Sequence, residues 1–412
     1  MKFCLIGEKL GHSYSAEIHA MRGLDYSLCE VEKKDLSAFV KNSPYKGFNV
    51  TIPYKKAVTE YLDGLSERAK ALGAVNTVDR CGGRLYGDNT DLGGLLYTFR
   101  RSKIDPSGGA AVVLGTGGAA QAAVFALKTL GAEKIYLVSR SGEINYGNYA
   151  ERCADAKVLI NATPVGMYPN IGQSPVNLKE LPDIKGVIDF VYNPCRTALT
   201  AQAEELGIRA ANGLIMLAEQ ALLSEDIWLS RTHEAGEAED IARALMRGKL
   251  NLVLTGMPSC GKTALGRLAA RILNRKFFDA DECFTEKFGA APAAVISGKG
   301  EKAFRDMESI VIKELSLKSG AVIATGGGAV LRKENTENLK ANGVIVYVKR
   351  DLEALSVSGR PLSERNGIEK LYRERKEIYE CTADAFVLND GSLENTAKEI
   401  VKEYETACDK RA

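Results

Sequence analysis

The chain has 412 residues, 45% hydrophobic and 26% charged, with a formal net charge of +2. That length suggests about three domains of roughly 150 residues each. The near-neutral charge argues against a nucleic-acid partner or an anionic membrane surface. No apolar run is long enough to span a membrane, and the first one, ended by Glu8 and Lys9, is too short for a signal peptide. The nine cysteines are scattered without a C-x-x-C pair, so reduced, buried thiols are expected rather than structural zinc or disulfides. The expectation is a cytoplasmic enzyme.

Residues 1–101 alternate short apolar runs (3–6, 26–31, 48–52, 74–79) with helical patterns at 35–41 and 60–72, which reads as α/β. Residues 102–109, rich in Gly, Pro and Ser, read as a connection. A new βα unit follows: an apolar strand at 110–114, a glycine turn, a helix over 119–130 and a strand at 134–139. Further strands are expected at 158–161, at 186–190 and near Arg209, then a helix over 213–228 that returns to pack on the first domain. Residues 231–248 are polar, with Glu234, Glu237, Glu239 and Asp240 near their start and one short helical pattern, 241–246, stopped by Gly248. They read as a linker. Residues 249–412 carry a βα alternation of their own, without an internal repeat.

Two glycine loops carry chemistry. Gly256-Met-Pro258-Ser259-Cys260-Gly261-Lys262-Thr263, followed by Ala264, lies between a strand-like run and a helical pattern. That is the setting of a Walker A loop: backbone N–H groups close on the phosphates, Lys262 reaches the β- and γ-phosphates, and Thr263 ligates Mg²⁺. The second loop, Gly115-Thr-Gly117-Gly118-Ala119, resembles the dinucleotide fingerprint with its third glycine shifted. Where an NAD site carries an acid for the ribose hydroxyl, this chain has Ser139-Arg140-Ser141, which suits a 2′-phosphate and therefore NADP.

Ahead of the second loop stand Gly11-His12-Ser13-Tyr14-Ser15, Asn49-Val-Thr51-Ile-Pro53-Tyr-Lys55, Gly73-Ala-Val-Asn76-Thr77 and Gly87-Asp88-Asn89-Thr90-Asp91. After it come Asn161-Ala-Thr163-Pro-Val-Gly166-Met167, Asp189-Phe-Val-Tyr192 and Asn212-Gly213-Leu-Ile-Met216-Leu-Ala-Glu-Gln220. In that order, from about residue 3 to 228, they resemble the shikimate dehydrogenase family. Taken singly, Ser13 and Ser15 would cap a helix and Lys55 would be a solvated charge; the ordered set reverses that reading. The resemblance implies that Lys55 and Asp91 are catalytic, and that Ser13, Ser15, Thr51, Asn76, Tyr192 and Gln220 hold a polyhydroxylated ring acid. NADP would be held by Gly115, Gly117, Gly118, Ala119, Ser139, Arg140, Thr163, Gly213 and Met216. Three features depart from the family: Ala16 stands where proline is usual, residues 140–161 are too few for the usual helix and strand, and Ile144 stands where many relatives have a second arginine.

Beyond the Walker A loop come Phe278-Asp279-Ala-Asp281, Phe304-Arg305-Asp-Met-Glu308, Thr325-Gly326-Gly327-Gly328, Gly359-Arg360-Pro361 and Arg375-Lys-Glu-Ile-Tyr379. Over residues 250–405 these resemble shikimate kinase. The resemblance implies that ATP lies on residues 256–264 and that Mg²⁺ lies on Thr263 and Asp279. It makes Asp281 the group that orients or deprotonates the acceptor hydroxyl, alongside catalytic Lys262. Arg305, Gly326, Gly327, Gly328 and Arg375 would bind shikimate, and Arg360 would belong to a lid over the γ-phosphate. The lid is shorter than usual, and residues 352–358 hold no counterpart of the arginine that often stacks on adenine.

The expected fold is an N-terminal α/β substrate domain (1–101 plus 213–232), a shortened Rossmann-like NADP domain (102–212), a linker (233–248) and a P-loop, NMP-kinase-like α/β domain (249–412). The expected function is bifunctional: reduction of 3-dehydroshikimate with NADPH, then phosphorylation of shikimate with ATP. A quinate-preferring or NAD-using dehydrogenase, or a non-catalytic shikimate-binding regulator of the kinase, are the alternatives for the first half.

Overall fold

Among the described residues, three β-sheets organise the fold. The structure is a computed structural model that describes residues 1–11, 13–355 and 367–411. Two compact units emerge: Met1–Met167, Gln173–Tyr192 and Thr197–Ala242 make the first, and Tyr168–Gly172, Asn193–Arg196 and the chain from Arg243 make the second.

In the first unit, β1 (Lys2–Gly7), β2 (Asp25–Glu30), β3 (Gly47–Val50), β4 (Gly64–Leu65), β5 (Thr77–Cys81) and β6 (Arg84–Asp88) form a six-stranded sheet in the order β2-β1-β3-β5-β6-β4. β5 runs antiparallel to both neighbours, and the other pairs are parallel. The 60–72 pattern is not one helix. A 3-10 turn, Ala57–Tyr61, and strand β4 precede the helix Glu67–Leu72, because the Ser66 hydroxyl accepts from the Ala69 N–H at 3.1 Å and starts the helix there.

The expected return helix is present as Gly213–Leu229, and Trp228 at its end is buried against the first sheet. The indole stacks on Phe3 at 4.7 Å and donates from Nε1 to the Val78 carbonyl at 2.9 Å. Gly47 leaves room for it, since a Cβ there would lie 2.3 Å from Trp228 Nε1.

The second sheet contains β7 (Ala110–Leu114), β8 (Lys134–Val138), β9 (Ala156–Asn161), β10 (Gly186–Asp189) and β11 (Arg209–Ala211), all parallel, in the order β11-β10-β9-β7-β8. A six-stranded doubly wound sheet would carry one more strand outside β8. Here the short 140–155 segment provides only a single bridge, Val138 to Ile144, and a four-residue helix, Tyr149–Arg152.

The second unit contains β12 (Asn251–Thr255), β13 (Phe277–Asp279), β14 (Val322–Ala324), β15 (Gly343–Lys349) and β16 (Ala385–Leu388), parallel throughout, in the order β13-β14-β12-β15-β16. β12, buried at every position, runs straight into the glycine loop and the helix Lys262–Leu273.

The segment read as a linker is largely helical, Glu237–Lys249, and Gly248 does not stop it. Two of its acids are held by partners: Glu239 accepts from Tyr97 Oη at 2.7 Å and Arg101 Nε at 2.9 Å, and Glu237 accepts from Arg22 at 2.8 Å. Acids in its first turn and Arg247 and Lys249 in its last complement the helix dipole. Among the described residues, no helix is long and apolar enough to cross a membrane.

Because Gly47 is filled by an indole, Gly47→Ala is expected to destabilise the first unit by about 1–3 kcal/mol through overpacking. Urea unfolding followed by fluorescence reads this directly, since Trp228 is the sole tryptophan.

Candidate active sites

In the first unit, a cavity of about 770 Å³ collects Ser13, Ser15, Thr51, Lys55, Asn76, Asp91, Tyr192 and Gln220, residues far apart in the chain. Lys55 Nζ lies 2.7 Å from Asp91 Oδ2. Asp91 opens the helix Asp91–Ser102, where the positive end of the helix dipole favours a carboxylate. Its other oxygen accepts from Asn76 Nδ2 at 2.9 Å, and Asn76 Oδ1 accepts from the Thr90 N–H at 2.7 Å. Ser13 and Ser15 hydroxyls sit 3.1 Å apart at the start of the helix Ser15–Met21. Asn212 caps the Gly213–Leu229 helix by accepting from the Leu214 N–H at 3.0 Å, which aims Gln220 into the cavity. Gly213 is required there, because a Cβ would meet the Phe190 carbonyl at 2.2 Å. Burial raises the Tyr192 hydroxyl above its ordinary range, so it enters as a neutral donor.

Of the residues expected to hold NADP, Ala119, Gly213 and Met216 line this same cavity. Gly115, Gly117, Gly118, Ser139, Arg140 and Thr163 lie beside it, at and after the carboxyl ends of β7, β8 and β9. This is the crevice where dinucleotides bind in doubly wound sheets. Gly115 has φ +105°, and Cβ positions built on Gly117 and Gly118 meet nothing within 4 Å, so the helix N-terminus is open to a pyrophosphate. Thr163 instead turns its hydroxyl to Asn161 Oδ1 at 2.7 Å. Ile144 packs against the sheet's hydrophobic core, leaving Arg140, exposed at the strand end, as the cation of that loop aimed away from the core.

Asn49 also lines the cavity, in addition to the residues that the sequence motifs place there. Its spacing of two from Thr51, which places both on one face of an extended segment, was the available signal.

In the second unit, a cleft of about 500 Å³ gathers Pro258, Ser259, Gly261, Lys262, Thr263 and Ala264 with Asp279, Asp281, Arg305, Gly326, Gly327, Gly328 and Arg375. Gly256 and Gly261 take φ of +144° and +100°, and Ser259 takes +66°. Lys262 Nζ donates to the Gly256 and Met257 carbonyls at 3.0 and 2.9 Å, across the mouth of its own loop. Cys260, within the loop, is buried and does not line the cleft. Thr263 Oγ1 donates to Asp279 Oδ2 at 2.7 Å, pairing two hard oxygen donors, while Asp279 Oδ1 caps the next helix by accepting from the Asp281 N–H at 3.0 Å. Among the described residues no group of three or more His, Cys, Asp or Glu could hold a metal. One carboxylate and one hydroxyl, completed by phosphate oxygens and water, is what Mg²⁺ commonly takes at such loops, so the residues fit it.

Arg305 Nη1 lies 2.6 Å from Glu308 Oε2, and Arg375 Nη1 donates to the Gly327 carbonyl at 3.2 Å. Glu308 had no assigned role, although its spacing of three from Arg305 on one helix signalled the pair. Burial raises its carboxyl above the ordinary range, and the Arg305 guanidinium works against that rise. Arg360 lies outside the described residues.

A dinucleotide-fold domain with a lysine–carboxylate pair, followed by a P-loop phosphotransferase domain, defines a two-enzyme chain. Residues 5–78 match the shikimate dehydrogenase substrate binding domain and residues 258–405 match shikimate kinase. Shikimate dehydrogenase (NADP(+)) of Clostridium perfringens is 40% identical over 264 residues, spanning 59% of this chain and 97% of the relative. The Bacillus subtilis enzyme of the same name is 34% identical over 273 residues, spanning 60% and 96%. Among solved structures, the Thermus thermophilus shikimate 5-dehydrogenase in complex with NADP(H) and shikimate has a TM-score of 0.54 at 31% identity, covering 59% of this chain and 99% of that one. A chorismate mutase/shikimate 5-dehydrogenase fusion protein from Clostridium acetobutylicum has 0.55 at 37%, covering 58% and 95%. The chain belongs to the shikimate dehydrogenase family and carries a shikimate kinase domain after it, which makes it a shikimate-pathway enzyme.

Asp189, at the end of β10, holds the turn that leads to Tyr192 by accepting from Thr197, Asn161 and the Val191 N–H at 2.7, 2.9 and 3.1 Å. Burial pushes its carboxyl up to about 6, with those three hydrogen bonds acting in the opposite direction. Between about pH 4 and 6 the folded state therefore keeps a proton that the unfolded chain has released, and this group's contribution to stability falls as pH rises. Asp189→Asn is expected to gain stability relative to the unaltered chain by up to about 3 kcal/mol between pH 4 and pH 7. Urea titrations at the two pH values measure it; no relative gain would contradict the assignment.

Proposed function

We propose that the first unit reduces 3-dehydroshikimate to shikimate with NADPH and that the second transfers the γ-phosphoryl group of ATP to shikimate's 3-hydroxyl. The domain boundaries proposed for this are 1–101 plus 213–232 for the ring acid, 102–212 for NADP and 249–412 for the kinase. The observation that carries the reading is the Lys55–Asp91 pair, 2.7 Å apart in one cavity with six polar side chains suited to a hydroxylated acid.

NADPH supplies the hydride to the carbonyl carbon, and ATP with Mg²⁺ supplies the phosphoryl group. Lys55, held charged and oriented by Asp91, gives its Nζ proton to the oxygen that gains charge as the carbonyl is reduced. The neutral Lys55 is reprotonated from solvent. Ser13 and Ser15 bind the substrate carboxylate, and Thr51, Asn76, Tyr192 and Gln220 bind carboxylate or hydroxyls. Arg140 with Ser139 takes the 2′-phosphate, which favours NADP. Open space at Gly117 and Gly118 supports a pyrophosphate on the helix N-terminus beside Ala119.

In the kinase, Lys262 exchanges its two loop carbonyls for phosphate oxygens. Asp281 accepts the proton of the attacking hydroxyl, and Arg305 and Arg375 bind the carboxylate, which two guanidinium groups can grip in a fixed plane. Thr263 and Asp279 would hold Mg²⁺. A cytoplasmic setting is part of the same proposal.

Purified full-length protein, assayed separately for both reactions, tests this. Lys55→Ala is expected to slow NADPH oxidation by roughly 10²–10⁴-fold, the range for a lost general acid, with kinase activity kept. Lys262→Ala is expected to do the reverse, with a loss of roughly 10²-fold or more. Unaltered protein that binds 3-dehydroshikimate but never oxidises NADPH would replace the first half's catalytic reading with a regulatory one.

A further inference from the structure

The phosphoryl-transfer reading uses Arg375 but not Tyr379, one turn further along the same helix, Ile368–Thr382. Tyr379 is fully buried, and its ring stacks on Tyr347 with centroids 5.0 Å apart. Packing alone would be satisfied by phenylalanine. The hydroxyl, however, donates to the carbonyl of Gly327, the middle glycine of the loop that lines the acceptor's cleft. Arg375 Nη1 donates to the same oxygen at 3.2 Å. Gly327 is pressed from its other side by the Walker A loop, since a Cβ there would lie 2.9 Å from Pro258 Cδ. Gly328 packs as tightly on the second arginine, where a Cβ would meet Arg305 Nη2 at 2.2 Å. One backbone oxygen is thus a fixed point between the phosphate loop and the two guanidinium groups.

Burial pushes the Tyr379 hydroxyl up to about 12, with Arg375 working in the opposite direction, so it stays a donor across the working range. A carbonyl oxygen has two lone pairs and costs free energy when left short of donors in the interior. With Tyr379 supplying one donor, Arg375 needs to spend only one N–H on Gly327, and the rest of its fork can face the cleft. Without the hydroxyl, the guanidinium is the remaining donor and is drawn towards the carbonyl and away from a bound carboxylate.

We propose that Tyr379 is a positioning residue of the kinase site, fixing the Gly327 carbonyl and, through that shared acceptor, the Arg375 guanidinium that meets the acceptor's carboxylate. The inference rests on the shikimate kinase reading of this cleft.

The test is steady-state phosphorylation by the full-length chain and its Tyr379→Phe variant, with shikimate and ATP varied separately. The expected result is a rise of about tenfold in the KM for shikimate, the equivalent of one hydrogen bond to a charged group. The KM for ATP and kcat should stay within about threefold, and reduction of 3-dehydroshikimate by the same preparation should be unchanged. A thermal midpoint that falls while the shikimate KM stays put shows a structural role only and overturns the proposal, as does a loss confined to kcat. Arg375→Lys, alone and combined with Tyr379→Phe, gives a second measurement. Fold-losses in shikimate affinity that combine to less than their product support the shared acceptor, and a full product overturns it. Unaltered protein that fails to phosphorylate shikimate overturns the reading of the site and this inference together; activity with an unchanged KM in the variant overturns the inference alone.

Discussion

Asn76 sits almost fully buried where β5 begins, and the Thr90 backbone N–H leaves its carboxamide one orientation. A backbone donor must meet Oδ1, so Nδ2 faces Asp91 and, at 3.4 Å, Gln220. One oxygen of Asp91 is then committed to Asn76, and the other is left for the Lys55 ammonium. The Lys55–Asp91 pair is therefore the end of a chain of bonds that starts at a main-chain amide. The sheet around it, the helix that opens with Asp91 and the return helix that brings Gln220 must each be in place for that chain to close. Burial matters because it removes the water that would otherwise compete for every one of these donors.

The second unit uses backbone in the same way. Its three consecutive glycines press their main chain against Glu308, Pro258 and Arg305 in turn, closer than any side chain would allow. The triple-glycine loop and the loop that carries Pro258 are thereby packed on one another without an intervening residue. In-line transfer depends on the relative placement of two ligands more than on any covalent step, and adjoining loops fix that placement. Asp279 shows the same economy: one carboxylate oxygen caps a helix and the other accepts from Thr263 Oγ1.

Placing the two enzymes on one chain supplies their sites in equal number, and the hydroxylated acid made by the first is what the second phosphorylates. The strand missing from the second sheet would lie outside β8, at the edge away from β9 and β10. The strands β7 and β9, whose carboxyl ends flank the first unit's cavity, are both kept. The trimming falls on the loop after β8, where the 2′-phosphate would bind, and leaves Arg140 there with Ile144 turned into the core.

Much of this was legible from the residues alone. Alternating apolar and amphipathic segments define βα units locally, and phosphate loops are local objects whose glycines, lysine and hydroxyl act within eight consecutive residues. The strand–loop–helix at Gly256–Thr263 and the strands β7 to β10 follow from such local rules. The ordered motifs also named most residues that line the two cavities. The helix in the linker runs further than the expected 241–246 because a polar, acidic stretch looks solvated until Tyr97, Arg101 and Arg22 are found to be partners of Glu239 and Glu237. Asn49 and Tyr379 carried no role in the sequence because the atoms that give them meaning, Ser224 Oγ and the Gly327 carbonyl, lie tens of residues away; Glu308 gains its meaning from the cleft that gathers it with Arg305 and Asp281. Local periodicity and loop chemistry determine which segments form and which residue types are available. Only the tertiary structure decides which donor meets which acceptor, because a buried hydrogen bond is set by through-space packing that one-dimensional spacing does not encode.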